Sequence, residues 1–361
     1  MFKEFLKSSF TPPIKSDCNS KDCNRIEFFD LAKGICIILV VLNHLFNHIN
    51  DERFEIPNFH ALRMPLYFVL SGMFFKAYEL KIFFIKKINN IFVPFLFWLI
   101  TSDIWHFWNV LWSTRYKCMA DFEIVRFIKD PFLYNSIECN GPLWFLFCLF
   151  IVNVIFYYVY SICKSKGAVF FAILFIASIG RLLSMKNIML PLWIDTSLTA
   201  LPFFFFGFCC REMTCLKPEY SKIKSLFWAV VLIITSYTIY YTFDHACIAD
   251  MRTNSFHGSY VAVYLNSAFF VMGILLLCKV IDWLPIVSYF GRYSIIVLCI
   301  HWPLMIFIPG FIERRIGYKI NDWEFLIIML LICWFAIPLC KRFLPCFVAQ
   351  KPLFKIPHKK E

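Results

Sequence analysis

Apolar residues recur along this chain in long unbroken runs separated by short polar clusters. Neither the two-residue alternation of a half-buried strand nor the one-sided stripe of a soluble helix produces that pattern. Ten runs stand out, at 31–49, 62–76, 86–105, 142–161, 167–183, 197–211, 225–242, 259–279, 290–309 and 324–341. Each predicts a helix that crosses a membrane. The runs at 62–76 and 197–211 are shorter than the roughly 20 residues that a bilayer asks for, so their helices are expected to extend past these limits or to tilt little. Pro65 and Pro202 stand near the starts of their runs, where a missing amide donor costs least, while Pro94 and Pro303 are placed to bend their helices. The expected fold class is all-α: a polytopic integral-membrane bundle of about ten transmembrane helices. It divides into an amino-terminal tail at 1–24, a membrane domain at 25–341 and a basic tail at 342–361. The longest polar excursion, about 106–141, predicts a short amphipathic lid or a plain interface anchor.

The basic residues test that count. With a cytoplasmic amino terminus, the inner segments carry 23 Lys and Arg and the outer segments 11. This twofold excess places both termini inside and requires an even number of spans. Composition agrees: the 361 residues are 60% hydrophobic and 17% charged, with a mean hydropathy of +0.67. The net charge of +12 follows from topology and contact with anionic membrane lipids, and no basic domain or aromatic motif points to nucleic acid. The 16 Cys show no disulfide or metal spacing and read as small buried apolar groups. No cleavable signal peptide is expected, because the first thirty residues are too polar to hold its apolar core.

Residues 30–46, DLAKGICIILVVLNHLF, carry polar groups into the first run. Lys33 and His44 are eleven positions apart, about 16.5 Å along a regular helix and only about 20° apart around it. They share a face. Asp30 lies one turn before Lys33, and Asn43 adjoins His44 but points about 100° away. Desolvating an imidazole in hydrocarbon is costly, which sets His44 in a polar interior, either as a structural hydrogen-bonding group or as a reacting one. Lys33 can hold an anion or snorkel to the headgroups, and Asp30 can orient it or balance its charge. Arg63, expected at the outer side near His44, can orient a carboxylate, phosphate or developing oxyanion, pair with Asp51, or anchor to headgroups. Ser71 and Gly72 lie deeper in the same run, where Gly72 suits close helix packing. Trp144 is an interface-belt residue or the edge of an acceptor entrance. His301 is a second intramembrane imidazole able to complete a polar cavity.

The stretches DLAKGICIILVVLNH, RMPLYFVLSG, GPLWFLF, LPFFFFGF and GRYSIIVLCIHWPL, in this order, resemble the integral-membrane acyltransferase type 3 family, above all its sugar O-acetyltransferases similar to fucose 4-O-acetylases. The resemblance covers about residues 25–340. It implies transfer of an acyl group, most often acetyl from acetyl-CoA, to a hydroxyl of a cell-surface glycan or lipid-linked sugar, in the bacterial inner membrane. The family carries an arginine eleven positions before its histidine. Lys33 stands there in this chain, and its ammonium lacks the planar five-donor fork of a guanidinium. Within that resemblance Lys33 and Asp30 hold acyl-CoA, His44 is the general base, and Arg63 and Asn43 steady the reacting oxygens. Trp144, His301 and Ser71 line the cavity or the acceptor path.

Two other classes fit the same runs. A transporter of a small molecule or lipid-linked glycan matches the broken spans and buried polar groups, although no paired repeat is visible. A membrane assembly protein would use His44 and Arg63 only to hold helices. No GxSxG elbow, P-loop or dinucleotide motif is present, and the eight His form no HExxH pattern, so no metal is expected.

Overall fold

Nine of the ten apolar runs become helices long and apolar enough to cross a bilayer among the described residues. The tenth does not. The computed structural model describes residues 9–10, 26–49, 57–112, 124–137, 139–243, 245, 248–318 and 320–356. Its helices are α1 (Glu27–Ile49), α2 (Arg63–Met73), α3 (Leu80–Lys87), α4 (Val93–Trp112), α5 (Ile124–Leu133), α6 (Trp144–Ile162), α7 (Lys166–Met185), α8 (Ile194–Cys210), α9 (Lys222–Thr242), α10 (Tyr260–Ile281), α11 (Val287–Arg292), α12 (Ser294–Ile316) and α13 (Asp322–Phe343). A small antiparallel hairpin, β1 (Ile248–Asp250) and β2 (Ser255–His257), joins α9 to α10. Much of the expected lid, residues 113–123, lies outside the described residues.

The run at 62–76 forms only α2, whose 11 residues reach about 16.5 Å, half a membrane. It does not extend as the sequence suggested, because the chain ahead of it already lies inside the bundle. Asn58, in a left-handed conformation at φ 61°, donates to Ser236 at 2.7 Å and exchanges amide hydrogen bonds with Asn266 at 3.1 and 2.7 Å. Ser236 and Asn266 each lie six residues, about 9 Å, inside the ends of α9 and α10 that the hairpin joins. Irregular backbone is tolerated at such depth only when protein groups satisfy it. The asparagines do so. The turn at 57–62 and α2 together return the chain to the Glu27 end, so nine long helices still place the start of α1 and the end of α13 on one side.

Short helices cross long ones at glycine pairs. A Cβ on Gly34 would fall 1.9 Å from the Val287 carbonyl oxygen, and one on Gly291 would fall 1.7 Å from that of Asp30. Gly72 and Gly207 stand in the same relation to the carbonyls of Phe204 and Val69, each at 1.9 Å. Close approach at small residues brings α11 onto α1 and α2 onto α8, the packing expected of Gly72.

Proline placement differs from expectation at one point. Pro202 lies inside α8 rather than near its start, because that helix begins at Ile194 after a 3-10 turn at Pro191–Trp193. Pro94 follows a π-helical turn, Ile88–Phe92, where its missing amide leaves the ladder already widened. Asn89 in that turn binds the returning tail, donating to the Phe354 carbonyl at 2.9 Å and accepting from the Leu353 and Phe354 amides.

Candidate functional site

Helix α1 presents polar chemistry at three levels. At its Glu27 end, Arg292 donates to both Glu27 oxygens at 3.2 and 3.4 Å, and its Nε lies 3.7 Å from one Asp30 oxygen. Lys33 Nζ stands 3.8 Å from the other. In this quartet two carboxylates thus face two cations around the buried Asp30, with Glu27, Lys33 and Arg292 half-buried. The glycine crossing at Gly34 and Gly291 brings Arg292 within reach. Lys33 also lies 5.4 Å from the Phe74 ring centre, and its backbone carbonyl accepts the Tyr67 hydroxyl at 3.2 Å.

The middle level belongs to Arg63. Its carbonyl accepts the Cys36 thiol at 3.0 Å, which sets the start of α2 beside Cys36, about 12 Å along α1 from His44. Side chains lean toward the amino end of their helix, and for α2 that is the direction of His44. There Arg63 Nη2 donates to His60 Nδ1 at 3.3 Å, and the guanidinium lies 5.6 Å from the Phe59 ring. Among the described residues no carboxylate pairs with Arg63. Asp250 of the hairpin commits its oxygens to its own turn, accepting from the Arg252 amide at 3.0 Å and the Thr253 hydroxyl at 2.9 Å. Asp250 and His257 of the hairpin also act electrostatically on His60, and Asp250 acts on Arg63. A guanidinium only donates, so His60 Nδ1 accepts and carries no proton, and among the described residues His60 is the hydrogen-bond partner shown for the Arg63 side chain.

At the third level, His44 stacks on His301 with ring centres 5.6 Å apart and 27° between planes, and meets Trp302 edge to face at 5.1 Å. His44 is half-buried, whereas His301 is fully buried. His301 Nδ1 lies 2.9 Å from the Val297 carbonyl. A carbonyl only accepts, so Nδ1 carries a proton. Pro303 lacks an N–H and frees the Cys299 carbonyl one turn before it. Asn140 supplies the missing donor at 2.7 Å and donates to Ser102 at 3.1 Å. A Cβ on Gly141 would lie 3.6 Å from the Trp302 indole and 3.8 Å from Arg252 Nη1, so the 3-10 turn at Gly141–Leu143 backs this end of the site.

Comparison with known proteins bears on this arrangement. A family described as an acyltransferase domain matches residues 26–341, from the quartet to the end of α13. The chain belongs to the acyltransferase type 3 family. Two curated relatives share parts of this type 3 sequence. One is nodulation protein NolL of Mesorhizobium japonicum, 26% identical over 148 residues, which are 38% of this chain and 36% of the relative. The other is NolL of Sinorhizobium fredii, 34% identical over 99 residues, 24% of this chain and 27% of the relative. The matched stretches thus span about a third and about a quarter of these relatives. No solved structure matches the chain.

In this type 3 chain the expected site residues separate into groups. Lys33 and Asp30 meet at the Glu27 end. His44 and His301 meet at the other, with Asn43 on the next position of α1. Arg63 starts α2 two turns from His44 rather than beside it at the outer surface. Ser71 accepts from Asn153 at 3.3 Å, near the Glu27 end of α2 and remote from His44. Trp144 is buried at the start of α6 and packs on Phe145. Glu27, Arg292, His60 and Trp302 were not singled out from sequence. The sequence FHALR did place His60 one helical turn before Arg63, and HWP placed Trp302 beside His301. Among the described residues no group of three His, Cys, Asp or Glu side chains converges on a metal position.

Proposed function

We propose that this family member is a sugar O-acetyltransferase, moving acetyl from acetyl-CoA to a hydroxyl of a cell-surface glycan or lipid-linked sugar with His44 as general base. The observation that carries this reading is the arrangement on one face of α1: an accessible imidazole at one end and a phosphate-compatible cation, Lys33, at the other. The basic-residue asymmetry supports a cytoplasmic Glu27 end, where acetyl-CoA is available, and a multi-pass protein of the bacterial inner membrane. Lys33 and Asp30 serve the donor there. The extended pantetheine arm then brings the thioester along α1.

The chemistry balances without a further reactant. Neutral His44 takes the proton of the acceptor hydroxyl as that oxygen attacks the thioester carbon. Negative charge develops on the carbonyl oxygen, where the donors of Arg63, with Asn43, stabilise it. The C–S bond breaks, and coenzyme A leaves as the thiolate, which accepts the proton held by His44. His301, neutral and stacked on His44, keeps a second positive charge away from the imidazolium. Trp144 lines the acceptor side, whereas Ser71 contributes to helix packing.

The test is mass spectrometry of surface glycans from a deletion strain complemented with wild-type protein or His44→Ala. An acetyl ester lost on deletion, restored by wild type and absent with His44→Ala supports the reading. A glycan ester pattern unchanged by deletion contradicts it, and movement of an unmodified glycan would mark a transporter instead.

A further inference from the structure

His60 occupies the space between the anchored turn and the guanidinium. Its backbone segment is held from both sides: Asn58 is pinned to α9 and α10 through Ser236 and Asn266, and the Ala61 and Leu62 amides donate to the Asn58 and Phe59 carbonyls at 3.1 and 3.0 Å. His60 Nδ1 accepts from Arg63 Nη2 at 3.3 Å. Arg63 has four rotatable side-chain bonds, no ion-paired carboxylate among the described residues, Asp250 acting on it at longer range and the Phe59 face as a second support. A long side chain so placed loses considerable entropy when it is fixed for catalysis.

We infer that His60 is a positioning residue: a neutral imidazole on an immobilised turn that aims the Arg63 guanidinium at the reacting oxygen. The inference rests on the acyl-transfer reading for what Arg63 does, but not for how Arg63 is held. The groups facing His60 are Arg63 from α2, and Asp250 and His257 from the hairpin. A carboxylate in place of His60 would neutralise the guanidinium and compete with the oxyanion. A neutral acceptor orients it and leaves its charge intact.

The test uses purified full-length protein in lipid nanodiscs, with acetyl-CoA and a methyl glycoside acceptor. His60→Ala is expected to lower kcat about tenfold, the scale of losing one charge-assisted hydrogen bond, with KM for acetyl-CoA unchanged. His60→Asn, whose amide oxygen can accept from the guanidinium, recovers most of the rate. In an Arg63→Gln background, His60→Ala has no further effect, because the partner is already gone. Independent multiplication of the two losses, or a His60→Asn variant as slow as His60→Ala, overturns the inference.

A second measurement needs no turnover. In solid-state 15N NMR of histidine-labelled protein near neutral pH, the signal missing from His60→Asn is expected to show an unprotonated, hydrogen-bonded Nδ1, and to lose that hydrogen-bond shift in Arg63→Gln. A protonated Nδ1, or a signal indifferent to Arg63→Gln, overturns the inference even where no acetyl transfer is found. Absence of transfer with the expected NMR behaviour would count against the proposed function alone.

Discussion

The two ends of α1 handle polarity in opposite ways. At the Glu27 end, two carboxylates pair with two cations, and Arg292 crosses from α11 to hold Glu27 and Asp30. At the other end His44 and His301 stack and Trp302 meets His44 edge to face, while Arg63 lies at the level of Cys36 with its guanidinium on His60. An ion-paired cluster stabilises a helix crossing; stacked aromatic rings, with a guanidinium two turns away that makes no ion pair among the described residues, suit a reaction in which charge appears only transiently. Variants at the first end should therefore move stability or donor affinity, and variants at the second should move turnover.

The largest effect is expected from His44→Ala, which should lower acetyl transfer about a thousandfold, as removal of a general base does, with thermal unfolding little changed. Loss of folded protein in parallel with activity would erase the contrast between the two ends. Next comes Arg292→Gln, which removes the guanidinium charge that faces half-buried Glu27 and buried Asp30 and should destabilise by about 3 kcal/mol. A melting temperature equal to wild type would show that the quartet does not hold α11. Asn140→Ala uncaps the Cys299 carbonyl at the Pro303 bend and should cost about 2 kcal/mol. Lys33→Ala should raise KM for acetyl-CoA about fivefold while kcat changes little, since a partly exposed cation contributes about 1 kcal/mol.

Some of this was legible in the sequence because it is local. The common face of Lys33 and His44 follows from helical periodicity, and the place of Asp30 follows from the same rise and rotation. Gly72 announced close packing by its size. What escaped depends on partners far along the chain. Arg292 lies 265 positions from Glu27, and Asn58 lies 178 and 208 from Ser236 and Asn266. Hydropathy treats 62–76 as one crossing, because it cannot see that the preceding turn already lies within the bundle. That is why Arg63 was expected at the outer surface and occurs at the level of Cys36. Likewise the role of Asn140 becomes visible only when Pro303 frees a carbonyl 159 positions away in sequence.

The most direct test of the account follows radiolabel from acetyl-CoA into a glycoside acceptor with purified protein in nanodiscs, comparing wild type with His44→Ala at equal folded concentration. The account predicts a base-labile acetyl ester formed by wild type, with stoichiometric release of coenzyme A, and both products reduced about a thousandfold in the variant. Ester formation at the wild-type rate by correctly folded His44→Ala protein would contradict it.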